Sequence, residues 1–129
     1  MSACGGAKGE LLAEPTSLDF GVIDFQQEVP SEGLNPQELA LTNDTDVELL
    51  VEITGFDADH LCIPGVDAAP SPITTLAAGE SYSLFVGVCG YDSAAGERDT
   101  LVEGLLVFDA EGLEEALEVP WSFTPVRSI

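Results

Sequence analysis

The chain has 129 residues, 45% of them hydrophobic, and carries 24 acidic against 3 basic side chains for a formal net charge of −21. This length fits one domain, and the apolar content excludes a disordered chain. Such a surface repels phosphates and anionic lipid headgroups, which argues against nucleic acid partners and electrostatic membrane docking. It would attract basic proteins or divalent cations, but simple solubility or adaptation to a salty medium also explains the charge.

The amino terminus is small and glycine-rich, so we interpret residues 1–13 as a flexible tether before a domain over residues 14–129. Its Ser2-Ala3-Cys4-Gly5 segment resembles the end of a bacterial lipobox, in which small residues precede the acylated cysteine. Met1 replaces the usual leucine, and no leader stands before it. The resemblance implies lipidation of Cys4 in an exported protein after removal of its leader. The alternative is an incidental thiol in a cytosolic protein.

Apolar residues that alternate with polar ones predict strands along the rest of the chain, because side chains on a strand point to opposite faces in turn. A first strand is predicted over residues 18–25, followed by a loop over residues 30–37. The clearest pattern, over residues 38–54, predicts two antiparallel strands joined by a tight turn at residues 43–46. In the second strand the inward side chains are Val47, Leu49, Val51 and Ile53.

The second half of the chain begins with a predicted irregular segment over residues 55–72, within which a short strand is expected around residues 61–63. Three longer strands are predicted over residues 81–88, 100–109 and 117–124. Pro120 in the last of them indicates an edge position or a bulge, because proline has no N–H to donate. About seven short antiparallel strands without a helix predict an all-β, immunoglobulin-like β-sandwich.

Three segments carry a resemblance to a known family: residues 15–23, residues 39–43, and the pattern Leu76-x-x-Gly79-Glu80-x-x-x-Leu84-x-Val86. They resemble the abnormal-spindle/Hydin-type immunoglobulin-like domains, and bacterial surface proteins of the choice-of-anchor kind carry similar modules. The resemblance covers roughly residues 14–124. It implies an interaction or structural module without catalytic residues.

Two of the three cysteines, Cys62 and Cys89, lie in predicted β-structure. We predict that they form a disulfide, which would stabilise the fold by roughly 3 kcal/mol in the chain-entropy model. A disulfide requires an oxidising compartment, in agreement with export. The alternative is a pair of buried free thiols that pack as small hydrophobic groups.

Two D-x-D patterns in loops are candidate calcium sites, because Ca²⁺ binds six to eight oxygen ligands from such loops. The candidate ligands are Asp44, Asp46, Asp57 and Asp59. His60 and Cys62 follow the second pattern closely and add zinc or copper as a hypothesis. The alternative is that both loops are solvated polar segments.

The sequence contains no G-x-S-x-G, phosphate-loop or dinucleotide pattern, so we expect no enzyme and no required cofactor. We predict a lipid-anchored bacterial cell-envelope module that binds a protein partner or serves as a structural unit, and calcium- or metal-dependent binding is the rival hypothesis. The contact surface would be a free sheet edge or an exposed apolar patch, and Leu50, Phe85 and Tyr91 are predicted to point outward. Addition of a partner strand along an edge is one physically reasonable mode of binding.

Overall fold

The computed structural model describes residues 9–25, 33–91, 94, 96–113 and 115–126. Its strands are β1 (Gly9–Glu14), β2 (Leu18–Asp24), β3 (Leu34–Thr45), β4 (Leu49–Gly55), β5 (Leu61–Cys62), β6 (Ser71–Leu76), β7 (Ser81–Val88), β8 (Val102–Ala110) and β9 (Leu117–Val126). Sheet A has the order β1-β3-β7-β5, and sheet B has the order β2-β9-β8-β4-β6. The predicted all-β sandwich is confirmed. Among the described residues there is no helix of the length and apolarity that crossing a bilayer requires.

The core lies between the two sheets, and alternation along each strand places it there. In β4, Leu49, Val51 and Ile53 are fully buried, whereas Leu50 is 61% exposed. In β9, the buried rings of Trp121 and Phe123 stack with their centroids 6.0 Å apart. One apolar face from each sheet therefore supplies the hydrophobic driving force for folding.

The predicted hairpin over residues 38–54 is wrong, because β3 and β4 lie in different sheets and do not pair with each other. At the crossing lies the buried Asn43, whose amide donates to the carbonyl oxygens of Val47 at 2.7 Å and Leu76 at 2.9 Å. These bonds hold the connection that takes the chain from sheet A to sheet B. Val47 lies in this connection, 44% exposed, and does not face inward as predicted.

The predicted boundary after residue 13 is also wrong for the described part of that segment. Residues 9–14 form β1, which pairs antiparallel with β3 from Gly9 opposite Thr45 to Glu14 opposite Ala40. Leu11 is only 3% exposed, so its burial fixes this segment to the domain. Residues 1–8 lie outside the described residues, and with them Cys4 and the rest of the predicted tether.

The chain crosses from sheet A to sheet B between β1 and β2, through a cis Glu14–Pro15 peptide bond. Because β2 pairs parallel with β9, the sandwich is not wholly antiparallel as predicted. This pairing begins with Leu18 opposite Trp121, so β2 does not accompany the first four residues of β9. β9 is a central strand, so the predicted edge position is wrong for the strand as a whole. Pro120 lies in the stretch that β2 does not accompany, so its missing N–H costs no bond to β2.

Two further elements differ from the sequence prediction. Residues 34–37 belong to β3, with a register shift between Leu34 and Gln37, and not to a loop. β6 contains Pro72 and was not predicted, because proline is excluded from central strands. β6 lies at the edge of sheet B, where a proline is tolerated, and it pairs with β4 alone among the described strands.

Candidate functional site

The predicted disulfide is confirmed: Cys62 and Cys89 are bonded, with their Cα atoms 5.8 Å apart. The bond joins β5, a strand of two residues, to the end of β7. Beside it, the backbone N–H of Cys89 donates to the carbonyl oxygen of His60 at 2.7 Å. The disulfide therefore fixes the loop that carries His60. Because Cys62 is bonded to sulfur, it is not available as a metal ligand.

His60 lies between two carboxylates at one end of the sandwich. Its Nδ1 is 2.6 Å from an oxygen of Asp57, and its Nε2 is 2.8 Å from an oxygen of Glu97. The ring also lies near Trp121 and Phe123, with centroid distances of 6.0 and 5.9 Å. A hollow of about 440 Å³ opens beside it, lined by Asp59, His60, Tyr91 and Glu97.

This arrangement favours the imidazolium form. Only a protonated ring has an N–H on both nitrogens, and each nitrogen here faces a carboxylate. Burial of the ring by itself lowers the pKa of His60, but the hydrogen bonds and negative charges of Glu97 and Asp57 outweigh it, so the pKa lies above its ordinary value of 6.5. Both ring nitrogens of His60 are therefore engaged by the carboxylates of Asp57 and Glu97.

The cluster predicts a pH-dependent contribution to stability. A raised folded-state pKa means that His60 stabilises the fold fully below pH about 6.5 and loses this contribution as the pH rises through the folded-state value. The free energy of unfolding of the native protein should therefore exceed that of His60→Gln at pH 5.5 and converge toward it by pH 9. Urea unfolding of both proteins at each pH measures the difference. A difference that stays constant over this range would contradict the assignment.

The four predicted calcium ligands do not come together. Asp44 and Asp46 lie at the β3–β4 connection, and Asp57 and Asp59 lie beyond the far end of β4. The seven residues of β4 separate the two pairs by about 23 Å, at roughly 3.3 Å per residue. Asp57 bonds instead to His60 and, through its other oxygen, to the N–H of Asp59 at 3.1 Å. Within the part of the chain that the structure describes, no group of three potential ligands is arranged to hold a metal ion.

The predicted outward apolar residues are distributed over both sheets. Leu50 and Phe85 are 61% and 51% exposed, as predicted, but Leu50 belongs to sheet B and Phe85 to sheet A. Tyr91 was predicted to be exposed and is instead half-buried, with its ring 4.7 Å from that of Phe25. Because Leu50 and Phe85 lie on different sheets, these residues do not form one contiguous patch.

The edges of the two sheets differ in how they are protected. Along β2, Gln37 and Asn35 donate their side-chain amides to the carbonyl oxygens of Asp19 at 2.7 Å and Phe20 at 3.4 Å. β6 contains Pro72, and β5 has only two residues beside the disulfide. Proline, short length and capping side chains are all devices that discourage an added strand.

β1 is longer than β5 and contains no proline, and it is the open edge of the described sandwich; its charges, Glu10 and Glu14, disfavour an acidic strand but not a basic one. Its six residues contain no proline and pair, among the described strands, only with β3. Beside it runs a groove between β1 and residues 113 and 115–118, which we call the seam. The seam holds two adjoining hollows of about 110 and 200 Å³. It exists because β2 does not accompany the first residues of β9.

The sequence analysis missed two features of the structure: the contact between His60 and Glu97, and the edge strand β1. The pair His60–Glu97 joins positions 37 residues apart, and no local pattern connects them. The edge strand β1 has a faint signal in Leu11-Leu12-Ala13, which is too short for a period of two to be recognised.

No family model matches the chain, and no curated protein sequence matches it. One similar solved structure is that of the periplasmic chaperone SfaE, at 16% sequence identity and a TM-score of 0.53 over 90% of this chain. That match covers 58% of the chaperone, so this chain spans less than two thirds of its length. Another is the secreted serine protease VesC from Vibrio cholerae, at 16% identity and a TM-score of 0.45, covering 83% of this chain and 21% of the protease. The likeness to the chaperone shows the fold alone, an immunoglobulin-like β-sandwich.

Proposed function

We propose that this chain is a non-catalytic interaction module of the bacterial cell envelope, which binds an extended segment of a protein partner along β1. The open edge of β1 is the observation that carries the proposal. An edge strand presents a row of main-chain N–H and C=O groups, and these groups template the pairing of another strand. The other described edges are capped, shortened or interrupted, so the accessible template lies at β1.

Export and anchoring belong to the same proposal. The Cys62–Cys89 disulfide supports export, because disulfides persist in oxidising compartments and are rare in the cytosol. The lipobox-like sequence at Cys4 supports a lipid anchor. Such an anchor would lie only a few residues before β1, so it would hold this edge close to the membrane surface.

A non-catalytic role is supported by the state of the chain's only histidine. Both nitrogens of His60 are engaged by carboxylates, which leaves no lone pair for general base catalysis. The resemblance to abnormal-spindle/Hydin-type domains also favours an interaction or structural module.

The proposal is tested by photo-crosslinking in cells of the natural host. A photoreactive amino acid replaces Leu12, which is 39% exposed on β1, or, as a matched control, Leu50, which is 61% exposed on sheet B. We expect a discrete protein adduct from position 12 and none from position 50.

The intact mass of the same protein, alkylated without reduction, should show a lipid-sized gain on Cys4 and no alkylation of Cys62 or Cys89.

Two results would contradict the proposal. Equal adducts from both positions, or none from either, would remove β1 as the contact edge. Three alkylated cysteines without lipid would remove the envelope location and return the chain to the cytosol.

A further inference from the structure

The surfaces on either side of β1 indicate which kind of strand it accepts. We infer that the partner segment alternates basic and apolar residues, with Lys or Arg beside Glu10 and Glu14 and apolar side chains directed into the seam. This inference rests on the proposed function, since it describes the occupant of the same edge.

The first surface is the outer face of sheet A. Alternation along β1 places Glu10, Leu12 and Glu14 on this face, all exposed, while Leu11 points into the core. A strand added beside β1 sets its own side chains about 5 Å from these residues. Glu10 and Glu14 are four positions apart, so both are matched by basic residues at i and i+4 of an extended segment.

The second surface is the seam. It is lined by Leu113 and Leu117, which are partly buried against the core, and by Glu115 and Glu118, and Glu10 of β1 lies where the seam meets the outer face of sheet A. The side chains on the opposite face of the added strand point here. Apolar side chains would cover Leu113 and Leu117 and remove them from water, so the alternation of the partner follows from the two faces of β1.

The charge around β1 indicates whether a basic partner or a second copy of this chain would bind there. The described residues that form β1 and line the seam include four glutamates and neither Lys nor Arg. A second copy of this chain, paired through its own β1, would place glutamates against glutamates in a molecule of net charge −21. Like charges on adjacent strands are destabilising, which favours a basic partner over self-association.

The test uses fluorescein-labelled heptapeptides and the full-length protein at about 0.15 M salt, where the Debye length is about 8 Å. One peptide alternates Lys and Val, and a second alternates Glu and Val. A third has the composition of the first, but with all its Lys residues in one block and all its Val residues in another. Fluorescence anisotropy measures each affinity, and hydrogen exchange reports protection of the β1 amides. We expect the alternating Lys/Val peptide to bind tightest and to slow exchange in β1.

A pair of double variants separates local recognition from the overall charge. Glu10→Lys/Glu14→Lys reverses the outer face of β1, and Glu52→Lys/Glu103→Lys makes the same change in net charge on exposed positions of sheet B. We expect the first to weaken binding of the Lys/Val peptide about five- to tenfold more than the second, since each reversed cross-strand pair loses an attraction and gains a repulsion. Circular dichroism checks that both variants are folded.

The outcomes distinguish this inference from the proposed function. Equal weakening by both double variants, or equal binding of the blocked or acidic peptide, would overturn the inferred partner chemistry. If the crosslink from Leu12 persists under that result, the β1 edge still binds a partner of another sequence. If the crosslink is also absent, both the inference and the proposed function are wrong.

Discussion

We expect the double variant Cys62→Ala/Cys89→Ala to unfold with a free energy about 3 kcal/mol lower than that of the native protein. The disulfide joins two positions that are 27 apart in the sequence, and without it the unfolded chain regains the entropy that the closed loop had lost. β5 has only two residues, so its pairing with β7 does not replace the covalent link. Urea unfolding followed by circular dichroism measures the change.

Reduction of the native protein is the matched control, because it breaks the same bond without changing the side chains. Both treatments should lower the midpoint by a similar amount, whereas Cys4→Ala should leave it unchanged. A double variant as stable as the native protein would mean that β5 and the His60 loop are held by packing and hydrogen bonds alone.

The second large effect is expected at Asn43, which is fully buried. Its side chain donates to the carbonyl oxygens of Val47 and Leu76 and accepts the N–H of Thr45 at 3.0 Å. Asn43→Ala removes the bonds to the Leu76 carbonyl and the Thr45 N–H, which are buried, while the Val47 carbonyl still accepts from the Thr45 hydroxyl at 3.0 Å. Each unsatisfied buried group costs about 1–3 kcal/mol. We expect the free energy of unfolding to fall by about 3 kcal/mol in urea.

Thr42→Ala is the control for this substitution. Thr42 is the preceding residue, and its hydroxyl bonds to that of Ser81 at 2.8 Å on the exposed side of sheet A. Because water can replace an exposed partner, the loss should stay below about 1 kcal/mol. If the two variants lost similar stability, the connection between the sheets would not depend on the buried amide.

The pairing of the two cysteines was predictable, but their surroundings were not. Two cysteines in β-structure, with a third in a glycine-rich terminus, identify the bonded pair without knowledge of the fold. Nothing in the sequence near His60 indicates Glu97, because that contact forms only when the loops after β4 and β7 meet at the same end of the sandwich. The aspartates around His60 suggested a metal site, whereas the structure uses Asp57 to bond the ring.

The sequence by itself determined that the chain forms an all-β sandwich, which side of most predicted strands faces the core, and that Cys62 pairs with Cys89. These features follow from local alternation and from the small number of cysteines. Only the tertiary structure decided that β3 and β4 lie in different sheets, that β1 belongs to the domain, and that β1 is its open edge. A strand pattern records which side of a strand is apolar but not which strand lies beside it, since backbone hydrogen bonds join any two strands alike. In the folded chain, burial of Leu11 joins β1 to the domain, and the hydrogen bonds of Asn43 hold the connection between β3 and β4. The hydrogen bond from Gln37 covers part of the β2 edge.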